Sequence, residues 1–279
     1  MNIVKADCAG ACYGVQRALN LAMEASESAG SVQTLGPLIH NPQVVARLQR
    51  RGVTVADGPD DVTADSVIIR SHGVTPQVKA QVDGKGCSVV DATCPHVLRA
   101  QNAAHELARA GRTVIVVGER SHPEVEGLRA WAEAAGRGRV LVVASADDLP
   151  ERIDEPVGVV VQTTQRRAVL NEVLAALRNR GIDPEVQDTI CNATRDRQQA
   201  AEDLARTVDA MVVIGGHNSS NTTRLYEICA AAAPKAFHIE TPDELKREDF
   251  KGVSSVGITA GASTPEDMID SVIAQLERW

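Results

Sequence analysis

One stretch, Ser88-Val-Val-Asp-Ala-Thr-Cys94-Pro-His96, contains the pattern from which the fold of this chain can be predicted. A short strand-like run leads into a polar turn, and the cysteine stands just before an amphipathic helical run over 97–110. A thiol at a helix N-terminus feels the positive end of the helix dipole, which favours the thiolate, the form that binds metals. The stretch therefore predicts a strand, a possible metal ligand and a helix, in that order.

The same arrangement occurs around Cys12 and Cys191. The run Glu185-Val-Gln-Asp-Thr-Ile precedes Cys191, and a helical run over 195–206 follows it. Asn2-Ile-Val-Lys-Ala and a short loop precede Cys12, and a helical run continues to about Ala25. After each of the three helical runs comes an apolar strand that ends in glycine. These glycines, each 24 residues after its cysteine, are Gly36, Gly118 and Gly215. Three equal spacings indicate an internal repeat.

The repeat continues beyond the glycines. In each unit a polar turn opens another helix, and then come a short strand, an acidic turn and a further apolar strand that ends in polar residues. Strands that alternate with helices predict βαβ units and parallel sheets. We therefore predict an α/β fold of three small domains with mostly parallel sheets, arranged as a pseudo-threefold trefoil. The predicted domains are 13–94, 95–190 and 191–279, with the strand in 1–12 joining the sheet of the third.

Composition excludes several classes of protein. The net charge is −8 and aromatic residues make up 2% of the 279 residues, whereas nucleic-acid-binding proteins have basic surfaces and stacking aromatics. No apolar run approaches the length of a membrane span, and the first residues do not resemble a signal peptide. We therefore expect a cytoplasmic protein with neither a nucleic-acid nor a membrane partner. Its six cysteines favour metal-binding or catalytic roles over disulfides.

The equivalent cysteines suggest a metal centre. Three thiolates suit a 4Fe-4S cluster with one open iron, and equally a zinc ion with an open fourth position. Cys8, Cys87 and Cys229 lack equivalents in the repeat, so we expect them to be structural, although Cys8 is only four residues before Cys12.

Polar side chains occupy the turns that follow the strands. Open α/β sheets bind ligands at the carboxyl ends of their strands, so we expect these turns to face one central site. Neutral or weakly basic donors at helix N-termini can hold a phosphate or diphosphate without a P-loop, although each of them alone could equally be a cap or turn former. The candidates are His40, His72, His122, Thr163, Thr164, Ser219, Ser220, Asn221 and Ser263.

Glu124 is the one carboxylate that we assign to this site. In a water-poor site its pKa should rise, which would suit a proton donor. Its place near a helix start also fits a simple interaction with the helix dipole. Glu126, two residues further on, should point elsewhere on the same helix.

At this point the sequence resembles the 4-hydroxy-3-methylbut-2-enyl diphosphate reductase (IspH/LytB) family over nearly its whole length. The matching segments, in order, are Cys12-Tyr-Gly-Val, Leu35-Gly-Pro-Leu-Ile-His40-Asn-Pro, Ser71-His72-Gly73-Val, Asp91-Ala-Thr-Cys94-Pro, His122-Pro-Glu124-Val-Glu-Gly, Gln162-Thr163-Thr164, Cys191-Asn-Ala-Thr, Asn218-Ser219-Ser220-Asn221 and Thr259-Ala-Gly-Ala-Ser263.

The resemblance implies the last step of the methylerythritol phosphate route to isoprenoids. In that reaction an allylic diphosphate loses its hydroxyl group, with two electrons and two protons, to give isopentenyl and dimethylallyl diphosphate. It implies that Cys12, Cys94 and Cys191 hold a 4Fe-4S cluster at the centre of the trefoil, whose open iron takes the substrate hydroxyl. Reduced ferredoxin or flavodoxin would supply the electrons.

The resemblance also implies roles for the polar residues. Glu124 would deliver a proton, and Thr163 would hydrogen-bond the substrate hydroxyl or Glu124. The residues implied to hold the diphosphate are His40, His72, His122, Ser219, Asn221 and Ser263, with Ser220 beside them.

The chain departs from the family pattern at Ala11, where an aromatic residue is common, and at His217, where other polar or basic residues are expected. The sequence is also compatible with two alternative functions. One is a hydro-lyase that uses the same cluster and pocket without net electron transfer. The other is a non-enzymatic metal-binding sensor or scaffold that holds zinc or a cluster.

Overall fold

A computed structural model describes residues 1–28, 30–136 and 138–279. The chain begins with strand β1 (Asn2–Lys5) and helix α1 (Tyr13–Ser28). It divides into two compact units. Unit 1 comprises Met1–Gln16, His40–Val44 and Asn192–Trp279, and unit 2 comprises Arg17–Ile39 and Val45–Cys191.

The first sheet lies in unit 2. Its strands are β2 (Val32–Leu35), β3 (Val53–Ala56), β4 (Ser66–Ile69) and β5 (Ser88–Asp91), in the order β3-β2-β4-β5 and all parallel. Helices α2 (Pro42–Arg50) and α3 (Pro76–Asp83) follow β2 and β4. Pro76 at the first helical position and Thr75 as the cap fix the start of α3, because proline lacks the N–H that a helix start leaves unpaired.

The second sheet, also in unit 2, repeats this plan. It contains β6 (Thr113–Val117), β7 (Val140–Val143), β8 (Val157–Val161) and β9 (Glu185–Gln187), in the parallel order β7-β6-β8-β9. The accompanying helices are α4 (Pro95–Arg109), α5 (Pro123–Ala134) and α6 (Arg167–Asn179). The two central strands, β6 and β8, are buried along their whole length and face a separate apolar cluster on each side. This double burial explains why β6 is a continuous β-branched run and why β8 is one apart from Gly158.

The third sheet forms the core of unit 1. Strands β10 (Ala210–Ile214), β11 (Lys235–Ile239) and β12 (Ser255–Ala260) join β1 in the parallel order β11-β10-β12-β1. Its helices are α7 (Asn192–Ala205), α8 (Ser220–Ala232) and α9 (Glu266–Glu277). Strand β1 therefore occupies the place in this sheet that β5 and β9 occupy in theirs.

A short 3-10 helix occurs at the equivalent position of each repeat. These three helices, Pro59–Asp61, Ala146–Asp148 and Pro242–Glu244, carry an acidic residue at their third position that accepts a hydrogen bond from the backbone of the capping residue. They account for the acidic turns of the sequence. A fourth, Arg247–Phe250, follows in unit 1. The α/β prediction with parallel sheets is confirmed. Among the described residues, no helix is both long enough and apolar enough to cross a membrane.

Candidate functional site

The backbone holds the three predicted cysteine ligands in the same way. The amide of Cys12 donates to the carbonyl of Ala262 (3.1 Å), that of Cys94 to Ser71 (3.0 Å) and that of Cys191 to Thr163 (3.0 Å). Each carbonyl belongs to the turn that ends the neighbouring strand of the same sheet: β12, β4 or β8. The threefold repeat therefore extends to the individual hydrogen bonds that place each cysteine.

The donor chemistry of these cysteines fits a thiolate-bound metal centre. Within the described part of the chain, Cys12, Cys94 and Cys191 form no disulfide. They are half-buried, and each directly precedes or caps a long helix. Cys229 differs, because it is fully buried in the core of unit 1 and burial raises the pKa of its thiol to about 12. Cys229 therefore stays protonated at neutral pH. Cys87 packs against the core of the first sheet, and Cys8 is half-buried.

Glu124 and Thr163 form a buried pair in unit 2. The Glu124 side chain is 2% exposed in the first turn of α5, whereas Glu126 is exposed. The Thr163 backbone N–H donates to Glu124 Oε1 at 2.6 Å, and the Thr163 hydroxyl donates to Oε2 at 2.8 Å. Both carboxylate oxygens are thus held by one residue. The predicted difference in orientation between the two glutamates matches their burial.

His122 precedes the glutamate as the cap of α5. Its Nδ1 accepts a hydrogen bond from the Glu124 backbone N–H at 3.1 Å. A neutral imidazole that accepts at Nδ1 carries its proton on Nε2, so Nε2 is left as a donor. The ring of His72 lies edge-on to that of His122, with 5.6 Å between their centroids. Unit 2 therefore brings together two of the predicted histidines.

Gln162 supports this corner, although the sequence assigned it no role. Its side chain is completely buried, accepts from the Glu119 backbone N–H (3.1 Å) and donates to the Thr164 hydroxyl (3.2 Å). The turn that carries Thr163 is thereby tied to the turn that leads into α5. The available signal was a glutamine directly between a buried strand and two threonines, where an apolar residue would otherwise be expected.

In unit 1, His40 and Ser263 are joined directly. The Ser263 hydroxyl donates to the His40 carbonyl at 3.1 Å. Between them Asn41, which is 1% exposed, donates from Nδ2 to the Ser263 carbonyl (2.9 Å) and accepts at Oδ1 from the Val44 backbone N–H (3.1 Å). Asn41 is therefore a further supporting residue, which the sequence motif contained without an assigned role.

The turn after β10 carries the remaining candidates. Ser219 caps α8 by accepting from the Thr222 N–H (3.3 Å), and the Ser220 hydroxyl accepts from Arg224 (2.9 Å). Asn221 is 6% exposed, and among the described residues neither atom of its side-chain amide has a hydrogen-bond partner. A buried amide without a protein partner at a helix N-terminus indicates a place for a polar ligand.

His217 lies in the same turn but bonds to other residues. Its backbone N–H donates to Glu240 (2.7 Å), and its Nε2 lies 3.3 Å from a Glu244 carboxylate oxygen. Its ring is 4.4 Å from that of His238, whose Nε2 donates to the Gly215 carbonyl (3.0 Å) and whose pKa is lowered from its ordinary value by burial. This cluster fixes the turn that precedes Ser219.

Comparison with known proteins supplies the context for these residues. A family model described as LytB protein matches residues 3–277. A 4-hydroxy-3-methylbut-2-enyl diphosphate reductase of Geobacter metallireducens is 46% identical over 279 residues, which is 99% of this chain and 97% of the relative. The reductase of the same name from Aquifex aeolicus is 45% identical, over 99% of this chain and 96% of the relative.

Solved structures of reductases with related names resemble this chain over nearly its whole length. A structure of (E)-4-hydroxy-3-methyl-but-2-enyl diphosphate reductase, described as the terminal enzyme of the non-mevalonate pathway, is 43% identical with a TM-score of 0.74 and full coverage of both chains. The corresponding reductase from Plasmodium falciparum is 25% identical with a TM-score of 0.92, over 99% of this chain and 87% of that one. The chain is thus an α/β oxidoreductase. It belongs to the LytB family.

Proposed function

We propose that the chain removes the allylic hydroxyl group of 4-hydroxy-3-methylbut-2-enyl diphosphate and releases isopentenyl and dimethylallyl diphosphate. The C–O bond breaks, two electrons and two protons enter, and the hydroxyl group leaves as water. The observation that carries this proposal is the buried Glu124–Thr163 pair, because a carboxyl group held in a fixed position can act as the general acid of a reaction that consumes protons. The names of the full-length relatives supply the substrate.

Cys12, Cys94 and Cys191 would hold a 4Fe-4S cluster. Their thiol chemistry and helix-start positions suit this group. When bound, such a cluster supplies electrons singly and leaves one iron coordination position without a protein ligand. Reduced ferredoxin or flavodoxin is the proposed electron donor.

The diphosphate would be bound by hydrogen-bond donors at helix starts. In unit 1 these are His40, Ser219, Ser220, Asn221 and Ser263, and in unit 2 they are His72 and His122. The unmatched buried amide of Asn221 and the Nε2–H of His122 support this assignment. Neutral donors and helix dipoles stabilise an anion without an ion pair that must be broken on product release.

Glu124 and Thr163 would move the proton. When Glu124 carries a proton on Oε2, the 2.8 Å contact can reverse, so that the Thr163 hydroxyl accepts from the carboxyl group and donates its own proton onward. The 2.6 Å bond from the Thr163 backbone keeps the other oxygen in place throughout. Thr163 therefore both orients the acid and extends its reach.

Two coarser assignments accompany this function. The shared strand order of the three sheets supports the division into domains 13–94, 95–190 and 191–279, with β1 contributed to the last. We also propose that the protein acts in the cytoplasm, without a nucleic-acid or membrane partner.

Metal analysis tests the proposal against the sensor or scaffold alternative. Protein purified without air should be brown and contain iron and acid-labile sulfide in equal amounts, at about four of each per chain for a fully loaded 4Fe-4S site. Protein that contains zinc and no sulfide after the same procedure would contradict the proposed cofactor.

A further inference from the structure

We propose that Arg17 and Arg197 are positioning residues. Arg17 holds the backbone segment that leads into Cys94, and Arg197 holds the segment that leads into Cys12. By fixing these two cysteines, the arginines help the protein to retain an iron–sulfur cluster. This inference rests on the proposed function. Both arginines lie outside the motifs that carry the family resemblance.

Arg17 holds the segment before Cys94 from the side of α1. Its guanidinium donates from Nη1 to the Thr93 carbonyl and from Nη2 to the Asp91 carbonyl, both at 3.2 Å. These carbonyls lie one and three residues before the cysteine. Because the guanidinium is a planar fork with its donors in fixed directions, two bonds to alternate carbonyls fix the orientation of the segment as well as its position.

The other contacts of this segment restrain different atoms. The Asp91 side chain accepts from the Thr93 N–H at 2.9 Å, and the Cys94 N–H donates to Ser71. Those bonds use the backbone N–H groups, whereas Arg17 uses the carbonyls. Loss of Arg17 would therefore remove the bonds to the carbonyls of this segment and leave the bonds of its N–H groups in place.

Arg197 has the corresponding place in unit 1. It stands on α7, is 5% exposed, and donates to the Gly10 carbonyl at 2.7 Å and to the Ala193 carbonyl at 2.9 Å. Gly10 precedes Cys12 by two residues and has a φ of +93°, which favours glycine. A Cβ there would approach Ile269 to 3.0 Å, so the segment is closely packed as well as bonded.

The Cys191 segment is held in another way. The Thr189 hydroxyl accepts from the Val161 N–H at 3.0 Å and also bonds the Val161 carbonyl, so it attaches the segment directly to β8. A threonine hydroxyl thus holds the segment before Cys191, whereas arginines hold the segments before Cys12 and Cys94.

Charge gives the arginines a second effect. A guanidinium stays protonated in proteins, and a buried or half-buried cation acts more strongly on nearby anions than one in water. A cluster held by thiolates is anionic and becomes more so on reduction, so a neighbouring cation favours both retention and reduction. Lysine would keep the charge at either position but lose the two-carbonyl geometry.

The test compares Arg17→Gln, Arg17→Lys, Arg197→Gln and Arg197→Lys, purified and reconstituted without air. Matched controls are Arg99→Gln and Arg195→Gln, which change exposed arginines on α4 and α7. The measurements are iron and sulfide per chain, the rate at which the visible absorbance of the cluster is lost in air, and the midpoint potential. Circular dichroism checks the fold of each variant.

The glutamine variants at 17 and 197 should lose the absorbance about tenfold faster than wild type, in the range found for supporting residues of metal sites. Their midpoint potentials should fall, whereas the lysine variants should keep the potential but still lose the cluster faster. Folded glutamine variants that match the Arg99 and Arg195 controls in all three measurements would overturn the inference. If an Arg197 variant does not fold, the variants of the half-buried Arg17 decide the outcome of the test. Wild-type protein without iron and sulfide would instead overturn the proposed function.

Discussion

Glu124→Gln should reduce turnover by at least about a hundredfold, within the range that general acids contribute, while iron content and diphosphate affinity change little. Glutamine has nearly the shape of glutamate and can still accept from the Thr163 N–H at the position of Oε1. It cannot carry a transferable proton. Steady-state kinetics under anaerobic conditions, with the absorption spectrum of the cluster measured on the same sample, check this.

Glu126→Gln is the matched control for that variant. It makes the same chemical change two residues away in the same helical turn, on an exposed side chain. Its turnover should stay within about twofold of wild type, because exposed substitutions away from a site have small effects. Near-normal turnover in Glu124→Gln, or equal losses in both variants, would remove Glu124 from the proton path.

Cys191→Ser should abolish both the cluster and the activity. Serine preserves the shape and the backbone bond to Thr163, but its hydroxyl is a far poorer ligand for iron than a thiolate. Loss of a residue that merely supports a ligand costs roughly 10- to 100-fold in metal affinity or activity, so loss of a ligand should cost at least about 100-fold. Iron and sulfide analysis together with anaerobic turnover measure both effects.

Cys87→Ser provides the comparison for the ligand variant. Cys87 is also a half-buried free thiol, but it packs against the core of the first sheet and has no equivalent in the repeat. Its replacement should leave iron content and turnover near wild type. Full iron content in Cys191→Ser, or its loss in Cys87→Ser, would mean that the repeat identifies the wrong thiols.

The α/β class could be predicted because its cause is local. The runs Thr113–Val117 and Met211–Ile214 are apolar and largely β-branched, so they are recognisable as buried parallel strands. The equal cysteine-to-glycine spacings then show that one plan occurs three times, and the three sheets share one strand order.

Helix starts were predicted less accurately. The helical runs expected over 97–110 and 195–206 begin at Pro95 and Asn192. Apolar periodicity marks only the part of a helix that packs on a core, whereas the first turn is set by capping and by proline. The error therefore falls at the cysteines themselves, where the helix starts carry the proposed chemistry.

The long-range contacts that support the cysteine segments could not be predicted from the sequence. Arg17 bonds carbonyls 74 and 76 residues away in the sequence, and Arg197 bonds one 187 residues away. No local pattern specifies such contacts, because they depend on which strands become neighbours. Asn41 and Gln162 lay within the motifs, but an amide in a turn is also an ordinary cap or turn former, so its role emerges only from its partners.

The most direct measurement is the anaerobic reaction of purified, cluster-loaded protein with 4-hydroxy-3-methylbut-2-enyl diphosphate, with and without reduced ferredoxin or a chemical reductant, followed by identification of the products. We expect isopentenyl and dimethylallyl diphosphate, formed only with the reductant and with two electrons consumed per product molecule. Formation of a hydrated or dehydrated product without a reductant would indicate a hydro-lyase and contradict the account. Unchanged substrate in the presence of a full cluster and reductant would contradict it as well.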